Sequence, residues 1–564
     1  MRSARRGLVA VALAALLWSL ALTITGGFAI ETEWRLVSSR NPLRPLIAGL
    51  ALAALYLARW RRHWRGDLGL LSEPRSWPPL VAAVSTAVAL IIGFGWGTTI
   101  AAGPDQSGYV SQAALLVRGQ LTVLAPDWSR NAPWDDAAYS ASPIGWRPTP
   151  QTHILAPTYS VGLPLMMALF QIVAGAGAVF YVVPLAGALL VWSTYRLGLR
   201  LAGPGAGAIA AVLVVCSPIV LLMQQQAMSD IPVAAFVTLA LAAALPPSQP
   251  WLAGAAAGLA VLTRPNLVPL AGVAFLLLAG GESARRRLVA FSIPVAVACA
   301  FVGTLNWYYF GSPLESGYGS LALYYSLDAI TPNLLQYGWW FLRTNTPLPL
   351  LGLLAVLAVR HDGPHRRRIA LVTLAPPLLV LATYLPFLVF NPNDWGYLRF
   401  LLPAYPALCA GVGVVTVAAV ARARRRGLAV IAVAIVAGAV AAYGWHLCLK
   451  EGVFMQRVGD ARYARAVEFA RQLPEQSVFV SNSHSGTLRF YTGRDILRFE
   501  AVRPAEIDVA LDHLRRHGYD LFFIGDEFEI DMFRARFPGS RAVAALNEQA
   551  RVSFDGVVVY PLAP

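Results

Sequence analysis

Residues 103–113, Gly103-Pro104-Asp105-Gln106-Ser107-Gly108-Tyr109-Val110-Ser111-Gln112-Ala113, follow directly on an apolar run, residues 78 to 100. A run of that length fits the hydrocarbon of a bilayer, so Asp105 stands where the chain should leave it. Ionisable groups at the membrane are costly to hold and tend to mark function. The fold class, and the side on which Asp105 emerges, follow from working outward along the chain.

Of the 564 residues, 57% are hydrophobic and only 13% charged. Soluble proteins carry about a quarter charged residues, so this composition excludes an ordinary soluble chain. Apolar runs long enough to span recur from Gly7 to Leu449. The chain therefore reads as a polytopic α-helical membrane protein over most of its length. Its net charge of +15 comes from arginine, in clusters such as Arg61-Arg62-His63, Arg285-Arg286-Arg287, Arg366-Arg367-Arg368 and Arg424-Arg425-Arg426. These clusters sit in short loops between apolar runs, which is the positive-inside pattern and not a nucleic-acid surface, so no nucleic-acid partner is expected. The cysteines Cys216, Cys299, Cys409 and Cys448 show neither a disulfide framework nor metal-ligand spacing.

Charge bias sets the crossings. Residues 7 to 29 follow a basic N-terminus and exceed a signal-peptide core, so they are expected to span, with the N-terminus inside. Residues 45 to 59 return, and 78 to 100 deliver Asp105 to the outer face. Residues 101–160 are expected to form a long outer loop without regular structure, of the kind that is functional more often than idle. The stretch 160 to 175 is expected to lie along the outer surface, because a full crossing would put Arg196 and Arg200 outside. Further spans follow at 178–197, 205–222, 231–246, 251–263, 267–281 and 289–308. A second aromatic outer loop, 309–345, precedes spans at 346–360, 369–390, 398–420 and 427–448. The count is about 13 transmembrane helices, with the C-terminus outside.

Three regions result. Residues 1–77 are expected to hold two N-terminal transmembrane helices, 78–449 to form the main transmembrane domain, and 450–564 to form a small extracytoplasmic α/β domain. In the last, helical patterns at 459–472, 484–491 and 504–517 alternate with strands at 477–480, 520–524 and 556–560. It lacks a Gly-x-Gly-x-x-Gly fingerprint, which favours a structural or acceptor-docking cap over a nucleotide site.

The parity of the crossings gathers Asp105, Asp230, Arg264, Asp394 and Arg399 at one membrane surface. Taken singly, each has an ordinary explanation: the carboxylates can cap helix ends and the arginines can snorkel. Together they suit one reaction. An acceptor hydroxyl must lose a proton as it attacks an anomeric carbon, for which aspartate is a suitable base, and arginines can stabilise a departing phosphate. Tyr109 reads as an interface anchor. His153 has no partner at ligand spacing and reads as a loop residue that could serve as a base.

Several motifs carry a family resemblance in their order: Asp105-x-x-x-Tyr109; Tyr159-Ser160-Val161-Gly162-Leu163-Pro164; Met228-Ser229-Asp230-Ile231-Pro232; Gly254-x-x-x-Gly258-Leu259-x-x-x-Thr263-Arg264-Pro265; and Arg399-Phe400-Leu401-Leu402-Pro403-x-x-Pro406. From residue 78 to 420 the chain resembles the GT-C glycosyltransferases, specifically the family 39-like group of protein O-mannosyltransferases and lipid A aminoarabinose transferases. The resemblance implies an inverting transfer from a polyprenyl-phosphate sugar donor to a lipid, glycan or protein acceptor on the extracytoplasmic side. It implies Asp105 as catalytic base, Arg264 and Arg399 facing the donor phosphate, and Asp230, Asp394, Tyr109 and His153 in support. Many relatives carry two acids where this chain has Asp105-Gln106, which leaves Asp105 without an adjacent carboxylate. No cofactor is required by these charges, and a divalent metal, Mg or Mn, remains open. The arginine-rich, lysine-poor usage suits a bacterium and its inner membrane. A lipid-linked sugar flippase or transporter is the alternative from another class; it would show inverted repeats and midplane charges, and the sequence shows neither.

Overall fold

The computed structural model describes residues 28–31, 36–39, 41, 43–60, 77–151, 153–359, 363–388 and 393–562, with a few isolated positions before residue 20. The expected span at 7–29 and the basic stretch 61–65 fall almost wholly outside these residues. A short antiparallel ladder, Phe28–Glu31 on Leu36–Ser39, precedes the helix Leu43–Trp60.

Among the described residues, seven helices are long and apolar enough to cross a membrane: Leu43–Trp60, Trp77–Trp96, Ala176–Ala202, Ala284–Phe310, Pro364–Tyr384, Tyr405–Arg422 and Arg426–Lys450. In hydrocarbon every backbone polar group needs a partner, and a helix supplies one within itself. The chain is an integral membrane protein of the polytopic α-helical class. Shorter apolar helices, Gly162–Ala174, Pro204–Val215, Asp230–Ala244, Pro250–Thr263 and Pro265–Leu278, complete the bundle. At 1.5 Å per residue these reach about 20 Å, against about 30 Å of hydrocarbon. The expected span 205–222 is in fact two helices, because Ser217 is extended before Pro218 and the second helix starts at Pro218–Met223.

Helix packing explains one of the motifs. At Gly254 an added Cβ would lie 3.0 Å from the Phe291 Cα, and at Gly258 it would lie 3.0 Å from the Pro294 oxygen. The Gly254-x-x-x-Gly258 face thus lets Pro250–Thr263 and Ala284–Phe310 meet backbone to backbone.

The two expected outer loops are corrected. Residues 101–160 hold a helix, Gly103–Val117, and a three-stranded antiparallel sheet in the order Val123–Leu124, Ile154–Pro157, Trp146–Pro148. The helix starts where Pro104 occupies the first turn and needs no backbone donor. It buries Tyr109, Val110, Ala113 and Leu115, which are spaced among serines and glutamines that mask the period. In 309–345 the second half is the helix Ile330–Asn345, which buries Asn333, Tyr337, Trp340 and Thr344 and exposes Leu334, Leu335 and Trp339. The expected span 346–360 is instead a 3-10 helix, Leu348–Val356, preceded by Pro347 and containing Pro349, which lack backbone donors. Similarly, the expected helix 398–420 begins only at Tyr405, after a 3-10 segment Trp395–Leu401.

Beyond Lys450 a five-stranded sheet runs in the order Asp495–Leu497, Ser477–Val480, Asp520–Asp526, Val557–Pro561, Val552–Phe554. The first three are parallel and the last two antiparallel. Helices Gln456–Gln472, Ser485–Thr492 and Ile507–Arg516 pack on it. The alternating Ser477–Val480 and Asp520–Asp526 segments are its parallel centre, as their buried, β-branched and aromatic residues require.

Candidate active site

Asp105 lies in the first turn of the Gly103–Val117 helix, where the aligned peptide dipoles favour a negative group. Gly103, at φ +65°, turns the chain into that helix. One turn on, a side chain at Gly108 would run into the Tyr159 ring and approach the Gly145 Cα to 3.1 Å. With no side chain there, Tyr159 closes on the helix. It stacks on Tyr109 with ring centroids 4.6 Å apart and donates its hydroxyl to Asp105 Oδ1 at 2.7 Å. Burial, then the Asp105 charge, pushes the Tyr159 phenol well above its ordinary pKa, so it stays protonated as the donor.

The other carboxylate oxygen faces an arginine. Arg399 Nη2 is 3.3 Å from Asp105 Oδ2. Arg399 comes from the 3-10 segment Trp395–Leu401, which is capped by Asp394 accepting from the Gly396 N–H at 2.8 Å.

A second pair stands beside the first. Asp230, in the first turn of Asp230–Ala244, accepts from Arg264 Nη2 at 2.9 Å. Arg264 caps the end of Pro250–Thr263 and also donates to Ser229 Oγ at 3.3 Å and to the Tyr384 hydroxyl at 3.4 Å. Ser229 Oγ in turn accepts from the Tyr109 hydroxyl at 3.0 Å, which links the two pairs. Phe400 lies under both arginines, 5.7 Å from Arg264 Cζ and 5.3 Å from Arg399 Cζ, and stacks on Tyr384 at 4.9 Å.

Exposure separates the roles of the two carboxylates. The Asp105 side chain is 35% exposed and the Asp230 side chain 0%. Asp105 can meet a substrate, whereas Asp230 can only set the charge and direction of Arg264. The four charges sum to zero, yet Asp230 Oδ2 and Arg399 Nε are buried with no hydrogen-bond partner. A buried donor left unpaired is costly. The guanidinium therefore retains capacity for an anionic ligand.

The structure brings together Asp105, Tyr109, Asp230, Arg264 and Arg399. Two expected members fall away. Asp394 is exposed and serves as a cap, so it holds the Arg399 segment without joining the cluster. His153 lies between the strands Trp146–Pro148 and Ile154–Pro157 at φ +63°, and it makes no hydrogen bond or ion pair with the cluster. Tyr109 is buried against Tyr159 and is not an interface anchor. The sequence reading assigned no role to Ser229, Tyr159, Tyr384 or Phe400. Tyr159, Ser229 and Phe400 lie inside the quoted motifs, and that adjacency was the available signal.

No family model matches the sequence, and no curated protein does. Among solved structures, ArnT from Cupriavidus metallidurans bound to undecaprenyl phosphate matches with TM-score 0.54 at 16% identity, covering 87% of this chain and 99% of that one. The chain has the GT-C fold. The apo state of the same ArnT gives TM-score 0.50 over 86% of this chain and 98% of that one, again at 16% identity. The apo oligosaccharyltransferase of Archaeoglobus fulgidus gives TM-score 0.50 at 13% identity, covering 82% of this chain and 71% of that one.

One further cluster has metal-ligand composition: His484, Asp526 and Glu529, all buried. Its oxygens are already engaged. Glu529 accepts from the Ser483 and Asp526 backbone N–H groups at 2.9 and 3.0 Å. Asp526 faces His484 Nε2 at 3.1 Å and Arg462 at 3.3 Å and closes a capping box. This is a helix-start bracket within the C-terminal sheet.

Proposed function

We propose that the protein is an integral-membrane glycosyltransferase that moves a sugar from a polyprenyl-phosphate donor to an acceptor hydroxyl on the extracytoplasmic face. The observation that carries this reading is the half-exposed Asp105 carboxylate shared between the Tyr159 hydroxyl and Arg399, beside a buried Asp230–Arg264 pair. Supporting it is the fold shared with an ArnT bound to undecaprenyl phosphate. In this reading the cluster lies at the outer surface, the N-terminus is cytoplasmic, and residues 450–564 cap the site from outside.

The donor phosphate enters between Arg399 and Arg264 and takes up the free Arg399 Nε. Arg399 then turns from Asp105 to the phosphate, and the carboxylate it leaves becomes available to the acceptor hydroxyl. Asp105 removes that proton as the oxygen attacks the anomeric carbon. The bond to the phosphate oxygen breaks with inversion, and the charge that develops on the leaving polyprenyl phosphate falls on two guanidinium groups. Asp230 keeps Arg264 aimed, and Tyr159 keeps Asp105 oriented. Arginines supply the positive charge, so the charges alone require neither a cofactor nor Mg or Mn. The acceptor is a lipid, glycan or protein hydroxyl.

The test is sugar transfer by the purified protein from a panel of polyprenyl-phosphate sugars, wild type against Asp105→Asn, with and without a chelator. Loss of the base should lower turnover by about 10²–10⁴-fold while donor binding persists. An Asn protein that turns over normally refutes the base assignment. Absence of donor binding to either protein refutes the transferase reading, and loss of activity on chelation refutes the metal-free mechanism.

A further inference from the structure

We propose that the C-terminal sheet domain is a working part of this site: its helix Ser485–Thr492 clamps the start of the Asp105 helix, with Gly486, Thr487 and Tyr491 as positioning residues. The proposal rests on Asp105 being the base, and it assigns that base's placement to a segment nearly 400 residues away in sequence.

The start of the Asp105 helix has little to hold it locally. Its N-cap, Ala102, has no side chain that can accept from the first turn, and the preceding residues Gly97 to Ile100 form no regular element. The C-terminal domain supplies the missing partners. Thr487 donates its hydroxyl to the Ala101 carbonyl at 2.7 Å, and the Ala101 N–H donates to the Tyr491 hydroxyl at 3.0 Å. Residues 487 and 491 are one helical turn apart, so a single helix face takes both backbone groups of one residue. Ala101 and Thr487 are both fully buried, so the bond between them is not shared with water.

Gly486 sits directly on Ser107, two residues past Asp105. A Cβ at Gly486 would collide with Ser107 Oγ, lie 3.0 Å from Ser107 Cβ and lie 3.1 Å from the Ile144 oxygen. Ser485 Oγ accepts from the Ile144 N–H at 3.1 Å, next to the Gly145 that touches Gly108 and Tyr159. From the other flank, Gln106 Oε1 accepts from the Ala227 N–H at 3.2 Å, while its side chain faces Asp460 on the helix Gln456–Gln472. Ala101, Gln106 and Ser107 are thus gripped or faced by the domain, and the Asp105 side chain is left to Tyr159 and Arg399. Gln106, the residue next to Asp105, points to Ala227 and Asp460 and is buried away from the reacting group.

A reacting group displaced by about 1 Å loses about 10²-fold in rate. Gly486→Ala forces such a shift onto Ser107, and with it onto Asp105. The arginines that hold the donor belong to other helices and stay where they are. In the full-length protein, Gly486→Ala should lower kcat by about 10–100-fold with donor KM changed less than about 3-fold, and should speed amide hydrogen exchange at residues 101–108. Adding Ser107→Gly removes the atoms in the way and should restore most of the kcat. An unchanged kcat in Gly486→Ala, or a loss that Ser107→Gly does not relieve, overturns the clamp. If the wild type transfers no sugar from any donor, the transferase reading fails and hydrogen exchange decides the clamp alone: unchanged exchange at 101–108 in Gly486→Ala overturns it.

Discussion

Asp230→Asn separates the two tasks of the buried pair. Asp230 is fully buried and 2.9 Å from Arg264, whose side chain is 15% exposed. Removing one member of such a pair leaves a buried charge uncompensated and costs about 3–5 kcal/mol. Asparagine still offers Arg264 a neutral oxygen, which puts the expected loss near the lower figure, about 3 kcal/mol. An unfolding entropy of about 2.1 cal/mol/K per residue over 564 residues turns that into a drop of about 2–3 °C in unfolding midpoint. The same substitution raises the site from neutral to one net positive charge, so a phosphate should bind more tightly. The assay is thermal unfolding of the purified protein in detergent, followed by tryptophan fluorescence, with and without polyprenyl phosphate. Saturating lipid phosphate, at about 100-fold over its Kd, stabilises by about 2.7 kcal/mol, and the gain should be larger in the variant than in the wild type. The double variant Asp230→Asn/Arg264→Gln, which removes both charges, should lie closer to wild type than the single one. A single variant that melts with the wild type, or that gains no more from the lipid, refutes both the burial argument and the anion site.

Two other outcomes are expected. Burial lifts the Asp460 carboxyl above its ordinary value, against hydrogen bonds from Gln456, Thr98 and Gln106 and the charge of Arg462. Its folded state therefore holds the proton more firmly than the unfolded state, and its contribution to stability falls as pH rises from about 4 through the raised value. Asp460→Asn should gain stability relative to wild type at pH 7 and lose that advantage near pH 4; melting curves at the two pH values that show no difference between the proteins would refute this. Gly254→Ala drives a methyl into the Phe291 carbonyl oxygen and to 3.0 Å from its Cα, which cannot yield without separating two helices, and should cost about 1–3 kcal/mol; an unshifted midpoint would show that the helices do not meet there.

Where a segment's own pattern governs its structure, the sequence was readable. The strand expected at 477–480 is Ser477–Val480, and the strand expected at 520–524 lies inside Asp520–Asp526. Their apolar, β-branched and aromatic runs are bounded by polar residues and need only neighbouring strands to form. The long spans were legible for the same reason, because the bilayer's thickness sets their length. The Gly103–Val117 helix was not: its buried face includes the polar residues Gln106, Ser107 and Gln112, and the burial of the first two follows from contacts with Ala227 and with Gly486 of the C-terminal domain. Pro104, Pro204, Pro218 and Pro250 open helices, and the hydropathy of the runs around them did not show where those helices begin.

The candidate site divides along the same line. Hydropathy sufficed to identify a membrane protein, and the parity of the apolar runs to group Asp105, Asp230, Arg264 and Arg399, because those signals depend on each residue's distance along an apolar run. Pairing was beyond them. Asp105 meets Arg399 across 294 positions and Tyr159 across 54, and Ala101 meets Thr487 across 386. Which carboxylate faces which guanidinium depends on how closely helices approach at positions such as Gly108 and Gly254, and on which side chains that approach buries. Tertiary packing alone made Asp230 the buried partner and left Asp105 open to a substrate, since exposure belongs to the assembled surface and to no single segment.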